Sequence, residues 1–487
     1  MTNRDRLQLE DQTLLRDQLF IGGEWQSAGR TFDVLNPATG EAIIAVADGD
    51  ASDARSAVQA ASAAWPAWRS LTGKQRAAAL KQWHALLVRH AADLARIITA
   101  EMGKPLREAR GEVGSGSDYV EWYAEEAKRA YGEVIPSHEA GMRLVVIEQP
   151  VGVAVAITPW NFPFSTIARK VAPAMAAGCP VVVKPAEDTP LAALAMADLA
   201  DRAGIPAGVF NVVTARDPVT VGYELTTNPL VRKVSFTGST EVGRLLMRQS
   251  SDTIKKVSLE LGGNAPFIVF EDADFEAALQ GTMISKYRNG GQTCICANRV
   301  FVQDTIVAEY TERLSAAVSL LTVGSGSAEG TDVGPLINED AFAKVNRLVG
   351  DAVAGGAKTI IGGGPHELGG TFYQPTVMTE VGVDMAIANE EVFGPVATLF
   401  TFSTEEEAIE LANATPYGLA AYLYTRDNGR IWRVGEALDY GMVGVNTGVF
   451  MTEVAPFGGI KQSGIGREGG RQGLREYMES KYLAIGL

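Results

Sequence analysis

The sequence predicts an α/β fold in which a doubly wound parallel sheet is joined to a second α/β domain. This prediction rests on two patterns. Between residues 151 and 261, short β-branched runs alternate with helix-length segments at the spacing of βαβ units. Beyond Gly262-Gly263 the same alternation starts again, and 487 residues are too many for a single hydrophobic core. We therefore expect two or three domains of mixed helix and strand.

The first part of the chain predicts short strands followed by a helical region. Turn residues bound and separate two strand-like stretches, 20–25 and 31–36. Apolar positions three and four apart then predict helices, with breaks at Pro66 and 103–105, over residues 50–65, 72–90, 91–102 and 106–130.

The segment from 151 to 261 predicts the parallel sheet. Its strand-like runs are 151–157, 180–183, 209–213, 231–236 and 256–261, and the helices between them are 164–177, 190–203, 219–226 and 240–249. A ligand of such a sheet binds at the carboxyl ends of the strands. Polar side chains follow two of those ends, at 158–161 and at 184–187.

The remaining segment predicts a second sheet with helices. Its strands are expected at 265–270, 299–303, 358–362 and 396–400, and its helices at 273–288, 305–321, 339–354 and 404–414. No low-complexity linker separates the two sets of elements. The boundary near Gly262 is therefore expected to be a hinge between packed domains rather than a tether.

Charge and cysteine content exclude several classes of partner and site. Lys and Arg (43) against Asp and Glu (58) give a net charge of −15 without a basic cluster, which argues against nucleic acid and anionic membranes. Three cysteines in so long a chain do not make a disulfide framework, so a reducing compartment is expected. Residues 1–18 lack the apolar core of a signal peptide, and no apolar run is long enough for a bilayer. These patterns predict a soluble cytoplasmic protein.

One stretch is a candidate for chemistry. Residues 289–296 read Asn-Gly-Gly-Gln-Thr-Cys-Ile-Cys, and the two glycines predict a tight loop with backbone packed closely around Cys294. A thiol on such a loop can be a nucleophile, although a lone cysteine is more often a small buried hydrophobe. The four histidines are scattered, so neither a zinc site nor a histidine-based triad is expected.

Glu260 is a candidate general base. It lies between two leucines and just before two glycines, and burial in so apolar a run disfavours the charged carboxylate. Its pKa is therefore expected to rise toward the range that suits a general base. A structural ion pair would leave the same pattern in the sequence.

Sequence features of three kinds bear on a dinucleotide. Residues 464–469 match the usual glycine-rich fingerprint, but no clear strand precedes them and no acidic residue follows at the right distance, so we assign a tight turn. Gly238-Ser239 would open a helix whose N–H groups face a pyrophosphate, or would form an ordinary N-cap. Glu187 follows the second strand, where a carboxylate binds ribose hydroxyls and repels a 2′-phosphate, which favours NAD. It could equally be a solvated charge at a helix start.

Taken together, several motifs resemble those of the NAD(P)-dependent aldehyde dehydrogenase superfamily in order and spacing: 159–163, 236–240, 259–263, 291–294 and 391–395. The resemblance covers nearly the whole chain. Within the superfamily it is most similar to succinate-semialdehyde dehydrogenases, through residues 184–190, 288–296 and 456–464. It implies a Rossmann-type NAD-binding domain (1–130 and 150–261), a catalytic domain (262–470) and a small β oligomerisation element (131–149 and 471–487). A homodimer or homotetramer is expected.

The resemblance also implies roles for single residues. Cys294 would attack the aldehyde to give a thiohemiacetal, and Asn161 and the Cys294 backbone N–H would stabilise its oxyanion. Glu260 would activate the water that hydrolyses the thioester. NAD would be the cofactor, with NADP a weaker alternative. Lys184 and Glu187 would hold the adenosine ribose, Gly238 and Ser239 the pyrophosphate and Glu391 the nicotinamide ribose, with further contacts from Thr158, Trp160, Gly243, Leu261 and Phe393.

The expected substrate follows from Arg169 and Arg288, which match positions that hold the distal carboxylate of succinate semialdehyde in that subfamily. Met451 stands where the subfamily usually has a serine on the same carboxylate. Succinate semialdehyde is therefore expected first and glutarate semialdehyde second. Cys296, two residues from Cys294, is a candidate resolving thiol for reversible oxidation, or a passive small residue.

The resemblance leaves other activities open. Acylating relatives, which pass the thioester to coenzyme A, lack the carboxylate of the motif that contains Glu260, so its presence disfavours that activity. A broader aldehyde dehydrogenase remains possible under the same motifs. A catalytically silent scaffold protein is a remote alternative, because both Cys294 and Glu260 are retained.

Overall fold

The computed structural model describes residues 7–487, and the predicted α/β class is confirmed. The first six residues of the segment 1–18, where no signal-peptide core is expected, lie outside the described residues. Two large sheets carry most of the strands, and a three-stranded and a two-stranded sheet accompany them. Among residues 7–487, no helix combines the length and the apolar character needed to cross a membrane.

The first described part of the chain forms antiparallel strand pairs and then helices. The strands are β1 (Leu19–Ile21), β2 (Glu24–Gln26), β3 (Thr31–Leu35) and β4 (Ala42–Ala47). The helices are α1 (Ala51–Ser70), α2 (Gly73–Arg89), α3 (Ala91–Met102) and α4 (Leu106–Glu126). Two of these helices begin with a capping box, formed by Asp50 and Asp53 at α1 and by Thr72 and Gln75 at α2. Each box satisfies N–H groups that a helix start leaves free.

Pro66 does not end α1, so the predicted break there is wrong. Proline inside a helix removes a backbone hydrogen bond and crowds the preceding turn. The helix nevertheless continues to Ser70, because Trp68 on its last turn is buried and its indole Nε1 donates to the Met175 carbonyl at 3.1 Å. Tertiary packing of this side chain outweighs the local cost of the proline.

The cofactor-type sheet predicted from residues 151–261 is present. Strands β7 (Val153–Ile157), β8 (Val181–Lys184), β9 (Phe210–Val212), β10 (Val231–Thr237) and β11 (Lys256–Glu260) run parallel to their neighbours in the order β11-β10-β7-β8-β9. The crossover helices are α5 (Ser165–Ala177), α6 (Leu191–Arg202), α7 (Pro218–Thr227) and α8 (Thr240–Ser251). The strand order reverses between β7 and β10, which makes their carboxyl ends the expected place for a ligand.

Both faces of this sheet are buried. Along β7, Ala154 and Ala156 belong to one apolar core, and Val153, Val155 and Ile157 belong to the core on the opposite face. The alternation follows from the two-residue period of a strand. Helices therefore cover both faces, as a doubly wound sheet requires.

The interpretation of residues 464–469 as a tight turn is wrong. Gly464 and Ile465 form an edge strand, β19 (Gly464–Ile465), which pairs antiparallel with β11 and places Gly464 opposite Glu260. Glu468, a little further on, forms an isolated bridge with Phe457. A strand this short has no apolar period that a sequence pattern could reveal.

The second sheet contains β12 (Ala265–Val269), β13 (Ala297–Gln303), β14 (Lys358–Ile361), β15 (Thr376–Thr379), β16 (Val396–Phe402), β17 (Ala420–Tyr424) and β18 (Met442–Val445), in the order β14-β15-β16-β13-β12-β17-β18. Its helices are α9 (Phe275–Tyr287), α10 (Val307–Ser319), α11 (Glu339–Ala354), α12 (Ala386–Asn389), α13 (Glu405–Asn413) and α14 (Asn428–Ala437). The chain passes from the first sheet to the second between Glu260 and Ala265. The predicted domain boundaries remain predictions.

A three-stranded sheet joins the middle of the chain to its last strand. It contains β5 (Glu133–Ile135), β6 (Met142–Pro150) and β20 (Met478–Gly486), in the order β20-β6-β5, and α15 (Gly470–Arg475) precedes β20. The strand pair expected within 131–149 is therefore present. The role of this sheet in oligomerisation stays a prediction.

Candidate active site

Cys294 lies on the loop between α9 and β13, and the predicted tight loop is confirmed. Asn289, Gly290 and Gly291 all adopt left-handed backbone, with φ of 54°, 61° and 75°. A Cβ on Gly291 would lie 2.1 Å from the Gly394 carbonyl oxygen, so only glycine fits that close approach. Cys294 itself is partly exposed, whereas the residues on either side of it are buried.

Cys294 lies where two cavities meet. The first, of about 380 Å³, adjoins the carboxyl ends of the parallel strands and brings together most of the predicted site: Trp160, Asn161, Gly238, Ser239, Glu260, Leu261, Glu391 and Phe393. The second, of about 420 Å³, is lined by Arg288 and Met451. Arg169 lines both cavities. Molecules in the first and in the second cavity can therefore both reach Cys294.

Glu260, at the end of β11, is a buried side chain that lines the first cavity. Within residues 7–487, neither of its carboxylate oxygens has a hydrogen-bond partner. Burial raises its pKa well above the ordinary value, and the nearby Glu468 carboxylate raises it further, as the sequence predicts for burial. Such a group can accept a proton from a water or a thiol in the cavity.

The surroundings of Cys294 favour the neutral thiol over the thiolate. Burial raises its pKa to about 12, and the Arg169 guanidinium opposes that shift only in part. Because the thiolate is the nucleophile, the proton has to be removed as the sulfur attacks. Solvent can receive it, because the Cys294 side chain is partly exposed.

The side chain of Asn161 is buried next to the loop of Cys294. Its Nδ2 donates to the Gln292 carbonyl at 3.0 Å. A primary amide carries two N–H donors, so one remains available to a ligand in the first cavity. An amide N–H in this position can stabilise an oxyanion that forms beside Cys294.

The carboxyl ends of β7 and β10 fit a polar ligand of the dinucleotide kind. The hydroxyls of Thr158 and Thr237 are buried at these ends without a hydrogen-bond partner in the described part of the chain. Helix α8 begins beside them at Ser239, whose Oγ accepts from the Val242 N–H at 3.3 Å. A Cβ on Gly243 would lie 2.4 Å from Leu261 Cδ2, so glycine lets the helix start approach the sheet closely. Free N–H groups at such a helix start can bind phosphate.

Lys184 and Glu187 form a pair at the end of β8. The Lys184 Nζ lies 3.3 Å from Glu187 Oε2; the lysine side chain is buried, and the glutamate side chain is 34% exposed. Glu187 lines a neighbouring cavity of about 500 Å³ rather than the first cavity. A carboxylate held in this way, with no hydrogen bond to its other oxygen from residues 7–487, suits hydroxyl donors such as those of a ribose.

Glu391 and Phe393 close the first cavity from the second sheet. Glu391 accepts a hydrogen bond from the Gly263 N–H at 3.0 Å, and burial raises its pKa to about 7. The Phe393 ring packs edge to face with Trp160, with centroids 5.3 Å apart. Each wall of the cleft between the two sheets thus contributes an aromatic ring.

The two arginines expected to clamp a carboxylate are in different situations. Arg169 is buried, its Nε lies 3.1 Å from Glu468 Oε2, and its guanidinium lies over the Phe457 ring at 4.3 Å. Arg288 forms no salt bridge within residues 7–487; its guanidinium lies 5.6 Å from the centre of the Phe162 ring, and its charge acts at longer range on the Glu108 carboxylate. Arg288 is therefore the cation of the second cavity that is free to bind an anion.

The sequence patterns do not single out Lys170 and Glu468, which the structure places against the site. The buried Lys170 ammonium hydrogen bonds to Glu468 and donates to Ser235 Oγ at 3.1 Å. Arg169 and Lys170 are adjacent cations in an otherwise apolar, buried helix, and buried cations of this kind are usually paired with a carboxylate. This pattern is the sequence signal that could have indicated a partner such as Glu468.

Cys296 is buried, unlike Cys294. Its thiol donates to the Lys286 carbonyl at 3.6 Å, and the strand β13 begins at the next residue. Its role as a resolving thiol stays a prediction.

Comparison with known proteins agrees with this arrangement. A sequence profile of the aldehyde dehydrogenase family matches residues 25–483. The chain is 56% identical to a 3-sulfolactaldehyde dehydrogenase of Pseudomonas putida over 99% of both chains. It is 55% identical to the NADP(+) succinate-semialdehyde dehydrogenase of Escherichia coli (strain K12), over 99% of this chain and 100% of that one. It is 54% identical to a glutarate-semialdehyde dehydrogenase of Pseudomonas aeruginosa, with the same coverage.

Solved structures share the fold. The crystal structure of a succinate-semialdehyde dehydrogenase from Burkholderia pseudomallei is similar with a TM-score of 0.97 and 56% identity, over 98% of this chain and 100% of that one. A betaine aldehyde dehydrogenase from Staphylococcus aureus in complex with NAD+ gives a TM-score of 0.94 and 36% identity, over 96% of this chain and 94% of that one.

Proposed function

Because the chain belongs to the aldehyde dehydrogenase family and is therefore an oxidoreductase that acts on aldehydes, we propose that it oxidises ω-carboxyl aldehydes with Cys294 as nucleophile. The observation that supports this most is the position of Cys294 between the two cavities. One cavity contains Glu260 and Asn161, and the other contains the unpaired Arg288. An aldehyde whose acidic end binds Arg288 would reach Cys294 with its carbonyl group.

The proposed reaction uses these residues in sequence. The Cys294 sulfur adds to the carbonyl carbon and gives its proton to solvent, and the free amide N–H of Asn161 stabilises the oxyanion of the thiohemiacetal. A bound nicotinamide cofactor supplies the hydride acceptor for the oxidation. Glu260, with its unpartnered oxygens, then takes a proton from the water that attacks the thioester. Glu260 gives this proton to the departing Cys294 sulfur, so the last step releases the carboxylic acid and restores the thiol.

We assign the cofactor site to the first cavity and its neighbour. Gly238 and Ser239 would hold the pyrophosphate, Lys184 and Glu187 the adenosine ribose, and Glu391 the nicotinamide ribose. Thr158, Trp160, Gly243, Leu261 and Phe393 would form the remaining contacts. Both NAD+ and NADP+ occur in the names of the similar proteins. Glu187 supports NAD, because its carboxylate would stand close to a 2′-phosphate and repel it.

The cofactor preference is tested by a substitution at Glu187. The wild-type protein is expected to favour NAD over NADP by about tenfold or more in kcat/KM, and Glu187→Ser should narrow that ratio. Asp188→Asn is the matched control, because this neighbouring carboxylate accepts from Asn338 Nδ2 at 3.0 Å, whereas Glu187 forms the ion pair with Lys184. Steady-state rates with both cofactors give the ratio. A wild-type protein that prefers NADP would contradict the assignment.

The substrate proposal rests on Arg288 and Met451 in the second cavity. The three similar enzymes are named for aldehydes that carry an acidic group at the other end of the molecule. An unpaired guanidinium suits such a group, because it can bind a carboxylate through two parallel hydrogen bonds. Met451 offers no hydroxyl to the carboxylate, and its flexible side chain can adapt to a longer chain. We place succinate semialdehyde first and glutarate semialdehyde second.

A panel of aldehydes tests this function. NADH formation is expected with succinate and glutarate semialdehyde at higher kcat/KM than with butanal or pentanal, and a sulfonated aldehyde extends the panel to another anionic group. Met451→Ser should raise kcat/KM for both semialdehydes relative to the neutral aldehydes by roughly fivefold, because one added hydrogen bond is worth about 1 kcal/mol. The neutral aldehydes are the control, since the added hydroxyl has no carboxylate to bind. Higher kcat/KM for butanal and pentanal than for every anionic aldehyde would refute the substrate class.

The three-stranded sheet supports a proposal for assembly. Val134, Tyr482 and Ile485 expose 75%, 55% and 46% of their surface on it, which is unusual for large apolar side chains. We infer that copies of the chain associate through this sheet as a homodimer or homotetramer.

A further inference from the structure

Lys104 is buried beside the loop that carries Asn161, and none of the roles above involves it. Its side chain is 1% exposed. The Nζ atom donates to Glu112 Oε2 at 2.6 Å and to the Asn161 carbonyl oxygen at 2.7 Å. The Phe162 ring lies on another side of the ammonium, 3.9 Å from Nζ to the ring centre. The three N–H donors of this ammonium thus have two oxygens and one aromatic face as contacts.

Glu112 extends this contact to the start of α5. Its Oε1 accepts from the Phe164 N–H at 2.9 Å and from the Ser165 N–H at 3.2 Å. The carboxylate therefore satisfies N–H groups that a helix start leaves free, while its other oxygen holds Lys104. Lys104 and Glu112 together fix the segment from Asn161 to Ser165 against α4.

A second contact from α4 fixes the loop of Cys294. Glu108 lies one turn before Glu112 and accepts from the Asn289 N–H at 2.7 Å. The Asn289 side-chain amide donates to the carbonyl oxygens of Asn161 and Gln292, at 3.1 Å in both cases. The Gln292 carbonyl also accepts from the Asn161 side chain. The backbone on both sides of the expected oxyanion position is therefore tied to one face of α4.

Burial of this lysine is costly. Desolvation lowers the pKa of Lys104, and the Glu112 carboxylate opposes that shift. A buried ion pair is often no more stable than well-packed apolar side chains of the same volume, so stability alone gives a weak reason for the pair. Fixing the backbone of a reacting residue gives a stronger one, because small displacements of a catalytic group cost large factors in rate.

We propose that Lys104 is a positioning residue for the oxyanion donor. By binding the Asn161 carbonyl, it holds the Asn161 backbone so that the free side-chain N–H faces the oxygen of the aldehyde bound at Cys294. This inference rests on the proposed function, in which Asn161 stabilises the oxyanion. Lys104 itself touches neither substrate nor cofactor.

Lys104→Met tests the proposal in two backgrounds. Methionine nearly keeps the volume of the lysine but provides no donor. In the wild-type background, kcat/KM for aldehyde oxidation is expected to fall roughly tenfold to a hundredfold. Asn161→Ala should lower it by about a hundredfold or more, as loss of an oxyanion donor does. In the Asn161→Ala background, Lys104→Met should then change kcat/KM by less than about threefold, because the group that it positions is gone.

Lys255→Met is the matched control. The Lys255 ammonium is also buried and donates to backbone carbonyls, of Asn228 at 2.8 Å and Val231 at 3.1 Å, at the other end of the same sheet. Its loss should lower the melting temperature and leave kcat/KM unchanged in both backgrounds. If Lys104→Met does not fold, Glu112→Gln replaces it; this variant retains an oxygen for Phe164 and Ser165 and weakens only the hold on Lys104.

The outcomes separate this inference from the function on which it rests. Equal effects of Lys104→Met in the two backgrounds, or wild-type kcat/KM in the folded Lys104→Met and Glu112→Gln proteins, would overturn the positioning role alone. A wild-type protein that forms no NADH from any aldehyde, or full activity after Asn161→Ala, would overturn the proposed role of Asn161 and this inference with it. A fall in kcat/KM on Lys104→Met that is absent in the Asn161→Ala background supports both the positioning role of Lys104 and the proposed role of Asn161.

Discussion

Cys294→Ala is expected to lower aldehyde oxidation on the order of 10⁴-fold or more, because it removes the thiol that would form the covalent intermediate. The substitution removes a partly exposed sulfur from a loop that glycines and hydrogen bonds already fix, so the protein should keep its fold. Steady-state NADH formation and a thermal melt measure the two effects. Cys179→Ala is the control, since this thiol is buried elsewhere, 3.4 Å from the Tyr477 carbonyl, and should leave turnover intact.

Glu260→Gln separates the second half of the same reaction from the first. The amide cannot take a proton from water, so the thioester should form and then hydrolyse slowly. Rapid mixing should show about one equivalent of NADH per site, followed by turnover slowed by roughly 10²- to 10⁴-fold. Undiminished steady turnover in either the Cys294 or the Glu260 variant would refute the assignment of these two residues.

The sequence predicts the fold best where strands and helices alternate regularly. Strands β7 to β11 are bounded by turn residues and helices with clear periodicity, and they lie within a few residues of the predicted positions. Strand β17 (Ala420–Tyr424) is missing from the prediction, because its sequence, Ala-Ala-Tyr-Leu-Tyr, contains no β-branched residue and its apolar run has no alternation. The predicted helix break at Pro66 is wrong for a different reason. The local signal of the proline is strong, but the contact of Trp68 with a residue distant in sequence outweighs it.

Some features of the site follow from neighbouring residues in the sequence, whereas others depend on residues far apart in it. The glycines before Cys294 predict its loop because backbone geometry is a local property, and the leucines beside Glu260 predict its burial. The state of Arg169 is not local: its partner Glu468 also binds Lys170 across 298 residues of sequence. No pattern near Arg169 indicates that its charge is already paired. The sequence alone predicts the same role for Arg169 and Arg288, that of binding the substrate carboxylate. Only the folded structure shows that Arg169 is already paired with Glu468.

This difference between the arginines leads to opposite expectations for their variants. Arg169→Met would leave the buried Glu468 with Lys170 as its remaining cation, and Glu468 also influences the pKa of Glu260. Activity should fall for all aldehydes alike, because the loss acts on the site around Glu260. Among residues 7–487 Arg288 has no such partner, so its loss should act chiefly on aldehydes with an acidic group; its charge also opposes the rise in the pKa of Cys294.

Arg288→Met is expected to lower kcat/KM for succinate semialdehyde about 30- to 150-fold, while kcat/KM for butanal stays within about twofold. The factor corresponds to about 2–3 kcal/mol, the usual contribution of hydrogen bonds between charged groups in a partly buried site. Butanal has the same carbon chain without the carboxylate, so it isolates the charge. Arg107→Ala is the matched control at the same cavity, because Arg107 is 68% exposed and pairs with Asp332 at 3.1 Å.

An exposed pair such as that of Arg107 contributes little, so its variant should keep the wild-type ranking of substrates. Glutarate semialdehyde should lose as much as succinate semialdehyde in Arg288→Met, since both present one carboxylate to the same guanidinium. If Arg288→Met leaves the ranking of anionic and neutral aldehydes unchanged, the carboxylate is bound elsewhere. A loss shared equally by butanal would instead make Arg288 part of the general framework of the site, as we expect for Arg169.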